Sequence, residues 1–331
     1  MIRQDGDVWG VILSGGEGTR LQQFIKRLYG FVRPKQYCSI VGKRSMLQHT
    51  RDRIQLLVPP ERILTVVNRS HLSYIRAQLG DQPLSTILVQ PCGRETANGI
   101  LLALLHIYDR SPEAVAAVFP SDHFVREEAR FMEYVDLAHR VVQNDRERIV
   151  LLGVQPDGAE QEYGWIEKAL PVKNPWNVSI HRIGRFWEKP DPHMAEKLYR
   201  RNCLWNTLVM VGKVKSFLVL FRKMIPGIFN KLGKLLKFPD SEERGILLDR
   251  IYPSLPSVNF SKSILEQSVE SFSVLEAAGV YWSDWGDERR VLYDVEKLHL
   301  TLCNENYSLG IFPPPESDPL FPGTMDTAIS L

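Results

Sequence analysis

The sequence predicts an α/β fold whose sheet is mostly parallel and covered by helices on both faces. Short β-branched or apolar runs alternate with segments of helical periodicity through the first half of the chain. Such alternation is typical of parallel sheets, because each crossover helix packs on one face of the sheet. The second half mixes strands and helices less regularly, and no linker separates it from the first. We therefore predict one α/β core with a mixed insertion over the carboxyl edge of its sheet.

Hydrophobic periodicity separates the strands from the helices of the first half. Apolar residues recur at every second position in a half-buried strand and at every third or fourth position in a helix. The predicted strands are 8–13, 63–68, 85–90, 114–120 and 148–156. The predicted helices are 44–57, 69–80, 96–109 and 128–143. A glycine-rich stretch, "LSGGEGTRL" (13–21), follows the first strand and is expected to open a further helix.

Strands and helices alternate less regularly in the second half, but they can still be predicted. The predicted strands are 163–170, 178–190, 204–214 and 272–282. A helix is predicted at 192–201, and the segment 215–271 is mostly helical. We predict a single domain over 1–303, with one part at about 8–160 and another at about 161–295, followed by a proline-rich tail at 304–331. A tail of this composition is expected to be extended or disordered.

Composition and charge exclude several classes of protein. Hydrophobic residues make up 44% and charged residues 24% of the 331 positions, as in globular proteins, and no apolar run approaches the roughly 20 residues of a membrane span. A net charge of +2 gives no basic field for nucleic acid. The N-terminus lacks the apolar core of a signal peptide. We expect a cytoplasmic protein with reduced thiols, because its four cysteines lie far apart, at Cys38, Cys92, Cys203 and Cys303.

The glycine-rich stretch is suited to binding a phosphate. A loop between a strand and a helix can point several backbone N–H groups at an anion, and glycine allows close approach. Residues 18–51 contain no acid and eight Lys or Arg, so a positively charged stretch begins within the loop. The loop is not a dinucleotide fingerprint, because Leu21 replaces the third glycine, and Arg44 interrupts the only Walker-like sequence. A tight turn without a ligand is the alternative interpretation.

Two further stretches carry polar residues that a phosphate site requires. Lys35 lies in "RPKQY" (33–37), where the preceding proline restricts the backbone, although a lysine is most often a surface residue. Arg94 and Thr96 lie in "QPCGRETANGI" (90–100), directly after the third predicted strand, where open α/β sheets bind ligands. Thr96 is alternatively the cap of the next helix.

Two aspartates follow predicted strands and are candidates for binding a cation. Asp122 lies in "FPSDHF" (119–124), just past the fourth strand, and Asp284 lies in "WSDWGD" (282–287), just past the last. Mg²⁺ takes one or two carboxylates together with phosphate oxygens of a substrate. His123 is interpreted as a structural neighbour rather than a ligand. An aspartate between two tryptophans is otherwise a turn residue.

Taken together, these stretches resemble the sugar-1-phosphate nucleotidyltransferases, and most closely the mannose-1-phosphate guanylyltransferases. The matching pieces occur in the family's order over residues 9 to about 295. The resemblance implies a Rossmann-like, GT-A-type fold, in which about 8–160 binds the nucleotide and about 161–295 the sugar. The pieces are "LSGGEGTRL", "RPKQY", "QPCGRETANGI", "FPSDHF", "EYGWIEKA", "FWEKP", "LWNTLVM" and "WSDWGD".

The resemblance also implies a role for each matching residue. The catalytic residues would be Arg20 on the β and γ phosphates, Lys35 on the α phosphate, and Asp122. Asp122 and Asp284 would hold Mg²⁺. The nucleotide would contact Ser14, Gly15, Gly16, Gly18, Thr19, Gln90, Arg94 and Thr96. The sugar would contact Gly164, Glu167, Glu188 and Asn206, and Lys189 would hold its phosphate.

The sequence departs from the family's pattern at several points. Leu208 follows "WNT" where the family has a glycine, which puts a large side chain where the backbone approaches the sugar. Asn98 and Gly99 replace the usual Pro-Ala, and 260–268 lacks the usual Ile-Asp-Tyr-Ala sequence. The chain from Arg20 to Pro34 is about four residues longer than usual.

The predicted function is nucleotidyl transfer from a nucleoside triphosphate to a sugar-1-phosphate, with GTP and mannose-1-phosphate favoured. The alternative is a weakened relative that binds a nucleotide or nucleotide sugar as a regulatory subunit. A nicotinamide dehydrogenase is disfavoured by Leu21.

The expected partners are the two substrates, with no nucleic acid, and the protein is a possible homodimer. The amphipathic lysine-containing segment 227–238 is expected to pack on the core, with membrane docking as the alternative.

Overall fold

Eleven strands and ten α-helices lie in the residues that the computed structural model describes, which are 8–80, 82–145, 147–176, 178–238 and 242–303. The strands are β1 (Val8–Ser14), β2 (Ile63–Asn68), β3 (Ile87–Gln90), β4 (Val115–Pro120), β5 (Phe124–Val125), β6 (Ile149–Val154), β7 (Gly164–Pro171), β8 (Ile180–Glu188), β9 (Leu204–Lys213), β10 (Phe272–Glu276) and β11 (Trp282–Ser283). The helices are α1 (Gln22–Tyr29), α2 (Met46–Gln55), α3 (Leu72–Gln78), α4 (Glu95–Arg110), α5 (Glu128–Asn144), α6 (Pro192–Arg200), α7 (Val214–Met224), α8 (Pro226–Leu232), α9 (Glu242–Ile251) and α10 (Glu288–Lys297). The predicted tail at 304–331 lies outside the described residues.

Nine of the strands form one sheet in the order β3-β2-β1-β4-β9-β6-β10-β8-β7. Seven of them run in the same direction, and β8 and β9 run against them. The predicted α/β fold with a mostly parallel sheet is confirmed. Strands from both predicted parts of the domain lie side by side in this sheet, because β9 inserts between β4 and β6.

The two faces of the sheet are covered by separate apolar layers. In β1, Trp9 and Val11 pack into one layer with α4 and α7, whereas Val8 and Ile12 pack into the other with α2 and α5. Alternate residues of a strand face opposite sides, so both faces of β1 are buried. Burial of both faces explains why the first-half strands are near-continuous apolar runs in the sequence.

The predicted strand at 272–282 is wrong as a single element. The chain pairs with β6 and β8 only as far as Glu276 and then turns at Gly279, whose φ is +71°. It resumes as β11, which pairs with β5 in a separate two-stranded sheet. The pairing of β5 and β11 brings the loops that carry Asp122 and Asp284 together.

The amphipathic segment 227–238 packs on the protein's own core, as expected. Ile228, Leu232 and Leu235 are buried in the layer that contains α4 and α7, while Lys231 and Lys234 are exposed. Among the described residues, no helix combines the length and the apolar character needed to cross a membrane.

Candidate active site

A cleft of about 440 Å³ opens at the carboxyl edge of β1, β2, β3 and β4. Parallel strands that end at one edge leave their following loops together, and open α/β sheets bind ligands there. The cleft is bounded by both the glycine loop and the loop after β3. Its lining includes the predicted residues Gly15, Gly16, Gly18, Thr19, Gln90, Arg94, Thr96 and Asp122.

The glycine loop has the backbone form that an anion site requires. Gly18 has φ +60°, and a Cβ there would lie 3.0 Å from the backbone nitrogen of Lys35. Position 18 therefore demands glycine for both conformation and space. Gly16 differs, because a Cβ there would meet no protein atom within 4 Å. Its face toward the cleft is open to a ligand.

Side chains from two other segments fix the loop's carbonyl groups. The Gln36 amide donates to the Gly16 carbonyl at 2.8 Å, and the Asn68 amide donates to the Gly15 carbonyl at 2.6 Å. Ser14 is fully buried beneath the loop, and its carbonyl accepts a hydrogen bond from the Tyr37 hydroxyl at 3.0 Å. Because these hydrogen bonds fix the carbonyl groups, the loop is preorganised for a ligand on the side that faces the cleft.

Lys35 is buried beside the cleft rather than extended into water. Its Nζ lies 3.0 Å from a carboxylate oxygen of Asp122, and only 6% of the side chain is exposed. The same Nζ donates to the backbone carbonyls of Asp284 at 2.5 Å and Trp285 at 3.2 Å. One ammonium group therefore joins three segments that are distant in sequence.

The carboxylate of Asp122 is ionised in this setting. Burial favours its neutral form, but the Lys35 ammonium and the nearby His123 outweigh burial and hold the pKa of Asp122 below its usual value. Burial also lowers the pKa of His123, so its imidazole is neutral at pH 7. Thus Asp122 supplies a negative charge, and His123 packs edge-on against Trp282.

The loop that contains Asp284 fixes the orientation of its carboxylate. The Gly286 N–H donates to one carboxylate oxygen at 2.7 Å, while the other oxygen lies 3.9 Å from the Arg20 guanidinium. A Cβ at Gly286 would lie 2.8 Å from that carboxylate and 3.0 Å from Arg20. Glycine at this position therefore lets Asp284 and Arg20 share the edge of the cleft.

A buried polar network supports the Asp284 loop from below. Asp294 is fully buried, and it accepts hydrogen bonds from the Tyr281 hydroxyl at 2.7 Å and the Trp285 indole N–H at 3.0 Å. Arg290 lies 3.2 Å from the same carboxyl group and 3.0 Å from Asp157. The network fixes Trp285, whose backbone carbonyl accepts a hydrogen bond from Lys35.

We expect Asp294→Ala to lower the free energy of unfolding by about 3 kcal/mol, because it leaves the Trp285 indole N–H without its acceptor and removes one of the two carboxylates that pair with the buried Arg290 guanidinium. Urea denaturation followed by circular dichroism measures the change. Asp294→Asn is the control, since the amide oxygen still accepts hydrogen bonds, and we expect a smaller loss. If Asp294→Ala unfolds at the same urea concentration as the unmodified protein, the network does not support the loop.

The loop after β3 is tied to the segment 253–260. The Phe260 N–H donates to the Thr96 hydroxyl at 2.9 Å, so Thr96 does not cap α4, and that alternative interpretation is wrong. Arg94 donates to the Pro253 carbonyl. Gln90 accepts from the Tyr252 hydroxyl at 2.7 Å. The predicted base and ribose residues are thus held by a segment of the second half.

Arg20, which follows the cleft residue Thr19, and Lys189 meet at a single carboxylate. Glu162 lies 2.6 Å from the Arg20 guanidinium and 3.1 Å from the Lys189 ammonium. Lys189 has φ +48°, and its backbone N–H donates to the Tyr163 carbonyl at 3.3 Å. Two cations from opposite halves of the chain are therefore neighbours.

The other predicted sugar residues divide between the two faces of the sheet. Gly164 pairs with Glu188 across β7 and β8, and burial raises the pKa of Glu188 despite Lys189 beside it. Glu167 lies elsewhere: it shares a face with the buried Trp165, and its carboxylate pairs with Arg201. The structure therefore does not bring Glu167 to the other candidate residues.

Leu208 adopts a backbone form that normally needs glycine. Its φ is +57°, and its N–H donates to the Asn206 side-chain oxygen at 3.1 Å. The pairing of β9 with β6 shifts register here, so β9 bulges toward the cleft, which Leu208 lines. The family's glycine at this position is thus explained by conformation, and this chain keeps the conformation with a leucine.

The donor groups of the cleft fit magnesium in their chemistry. Asp122 supplies a carboxylate oxygen 3.0 Å from the Lys35 ammonium, and Asp284, whose backbone carbonyl accepts from the same ammonium, supplies a second carboxylate; hard cations prefer oxygen ligands. Among the described residues, no group of three His, Cys, Asp or Glu side chains converges as a ready metal site. Two carboxylates suit Mg²⁺ only together with oxygens of a bound phosphate.

Several residues that line the cleft or contact the predicted cations are not predicted from the sequence. Asn68 ends β2 just as Gln90 ends β3, so the rule that ligands bind at strand ends identifies it. Gln36 and Glu162 carry no such signal, because only the tertiary contacts bring them to the glycine loop and to Arg20.

We expect Gly16→Ala to weaken nucleoside triphosphate binding at least tenfold while leaving the melting temperature unchanged, because the added methyl group enters the open face of the loop and contacts no protein atom. Isothermal titration calorimetry and thermal unfolding measure the two effects. Gly158→Ala is the matched control, since a Cβ there also meets nothing and the residue lies outside the cleft. Unchanged nucleotide affinity in Gly16→Ala would contradict the assignment of this loop.

The fold and the cleft together define an α/β protein of the nucleotidyltransferase class. A family profile described as "Nucleotidyl transferase" matches residues 9–297. The chain belongs to this family, and its resemblance to the sugar-1-phosphate nucleotidyltransferases is confirmed.

Individual proteins similar to the chain agree with this assignment. The xanthan biosynthesis protein XanB of Xanthomonas campestris is 31% identical over 286 residues, which cover 85% of this chain and 58% of XanB. Mannose-1-phosphate guanylyltransferase 2 of Escherichia coli O157:H7 is 27% identical, with the same two coverages. A crystal structure from Thermus thermophilus, described as mannose-1-phosphate geranyltransferase, has a TM-score of 0.74 and 26% identity, covering 86% of this chain and 79% of that one. The chain thus spans a little over half the length of these curated relatives.

Proposed function

We propose that the chain transfers a nucleotidyl group from a nucleoside triphosphate to a sugar-1-phosphate, giving a nucleoside diphosphate sugar and pyrophosphate. The observation that carries this proposal is the buried Lys35 ammonium, held against Asp122 and next to the glycine loop. A charge fixed in this way needs no reorganisation when a phosphate reacts beside it. GTP and mannose-1-phosphate are the favoured pair, in line with the name of the Escherichia coli relative.

The reaction needs charge neutralisation more than proton transfer. An oxygen of the sugar phosphate is already anionic, so it attacks the α phosphorus directly while the bond from that phosphorus to the bridging oxygen of pyrophosphate breaks. Two unit charges 4 Å apart repel by about 4 kcal/mol at an intermediate dielectric. Arg20 would bind the departing phosphates, Lys35 the α phosphate and Lys189 the sugar phosphate. This chemistry needs no activated Ser, Cys or His as a nucleophile.

Magnesium is the proposed cofactor, with Asp122 and Asp284 as its protein ligands. When bound, the ion would neutralise phosphate oxygens and orient them for in-line attack. The residues of this chain supply the remaining positioning: the glycine loop and Thr19 around the triphosphate, and Glu188 and Asn206 toward the sugar. The cytoplasmic location and the homodimer stay predictions.

A substrate panel tests the proposed function. Pyrophosphate release is measured with GTP, UTP and dTTP, each paired with mannose-1-phosphate and glucose-1-phosphate. We expect release with at least one pair, and the fastest with GTP and mannose-1-phosphate. Tight nucleotide binding with no release in any pairing would overturn the proposal in favour of a regulatory subunit.

A further inference from the structure

We propose that Glu162 forms a carboxylate latch with the two cations that the proposed function assigns to phosphate binding, and that this latch couples the binding of the two substrates. The latch consists of Glu162, Arg20 and Lys189. This inference rests on the proposed function, in which Arg20 binds the triphosphate and Lys189 the sugar phosphate. It adds a residue that neither the glycine loop nor the metal ligands account for.

The Glu162 carboxylate contacts both cations in the way that a phosphate oxygen would. The same carboxylate oxygen, Oε2, lies 2.6 Å from Arg20 and 3.1 Å from Lys189. Charge-assisted hydrogen bonds of this length are what a phosphate oxygen would make with the same cations. A substrate phosphate that enters the site therefore competes with Glu162 for at least one of them.

Contacts of the adjacent residues, rather than burial of its three side chains, hold the latch in place. The Tyr163 ring packs edge-on against Trp205 at 4.7 Å, and its hydroxyl lies 3.2 Å from the Ser283 hydroxyl. The next residue, Gly164, pairs with Glu188 on β8. Because Tyr163 follows Glu162 and Glu188 precedes Lys189, and the Lys189 N–H donates to the Tyr163 carbonyl, the two side chains are kept within reach of each other.

Displacement of one shared carboxylate links the two substrates. Whichever phosphate binds first repels Glu162 and releases both cations, so the second substrate no longer has to displace it. By linkage, each substrate strengthens the binding of the other by the same factor. The three side chains are nearly half exposed, so we expect a coupling of about two- to fivefold, as for surface ion pairs.

Calorimetry of Glu162→Gln tests the latch. The probes are α,β-methylene GTP and mannose-1-phosphate, which bind without reacting, each titrated alone and in the presence of the other. We expect each probe alone to bind Glu162→Gln about two- to fivefold more tightly than the unmodified protein, and the coupling factor to fall to about one. Glu160→Gln is the matched control, because Glu160 pairs with Arg289 at 2.8 Å, away from both cations, and both affinities should stay unchanged.

The outcomes separate this inference from the proposed function. Weaker binding of either probe to Glu162→Gln, or a coupling factor equal to that of the unmodified protein, would overturn the latch alone. If the unmodified protein binds neither probe, the proposed function fails and the latch fails with it. Glu162→Ala repeats the test without an amide that could still bridge the cations.

Discussion

Lys35→Met is expected to lower kcat/KM for pyrophosphate release by about 1,000-fold, because a preorganised cation beside the reacting phosphate contributes several kcal/mol to the transition state. The methionine fills a similar volume without the charge. Lys35 also donates to the carbonyls of Asp284 and Trp285, so the change is expected to cost about 2 kcal/mol of unfolding free energy. Circular dichroism at the assay temperature measures the folded fraction against which the rate is corrected.

The matched control for this change is Lys43→Met. Lys43 belongs to the same acid-free stretch, but its side chain is exposed and does not line the cleft. We expect its activity to stay within about twofold of the unmodified protein, as for a surface charge. A folded Lys35→Met protein with activity within tenfold of normal would remove Lys35 from the mechanism.

Asp122→Asn is expected to lower kcat/KM at least about 100-fold and to raise the Mg²⁺ concentration that gives half-maximal activity, since a neutral amide is a poorer ligand for a hard cation. The melting temperature should change little, because about a third of the Asp122 side chain is exposed and Lys35 keeps its two carbonyl partners. Magnesium titrations of the initial rate measure the effect.

Asp287→Asn is the control for Asp122→Asn. Asp287 caps α10 by accepting a hydrogen bond from the Arg290 N–H at 2.9 Å, and asparagine caps helices as well as aspartate does. Both the rate and the metal requirement should therefore match those of the unmodified protein. An unchanged magnesium requirement in Asp122→Asn would show that Asp122 is not a metal ligand.

Much of the fold follows from local sequence patterns. The runs that became β1, β2 and β4 are apolar throughout because both faces of the sheet are covered, and such runs are recognisable without a structure. Residue types and positions at strand ends make the glycine loop, Lys35 and the two aspartates candidates, and the resemblance to a known family gives each of them its role. The structure places Lys35 and Asp122 within hydrogen-bonding distance of each other.

Other features depend on contacts that no local pattern encodes. The sequence suggested one strand over 272–282, but pairing between β5 and β11 divides it. Glu167, which the resemblance assigns to the sugar, lies on the face of Trp165 and beside Arg201 because of the register of β7. A shift of one position in a strand exchanges its faces, so small errors in register move a side chain to the opposite side of the sheet.

The sequence by itself determined the α/β class, the order of the strands along the chain and the residue types suited to phosphate and metal. Only the tertiary structure decided which of those residues meet: Lys35 beneath Asp284, Gln36 behind Gly16, and Glu162 between Arg20 and Lys189. The physical reason is the distance along the chain over which each effect acts. Periodicity and turn preferences act over a few residues, whereas each of these contacts joins segments brought together by burial of the whole sheet.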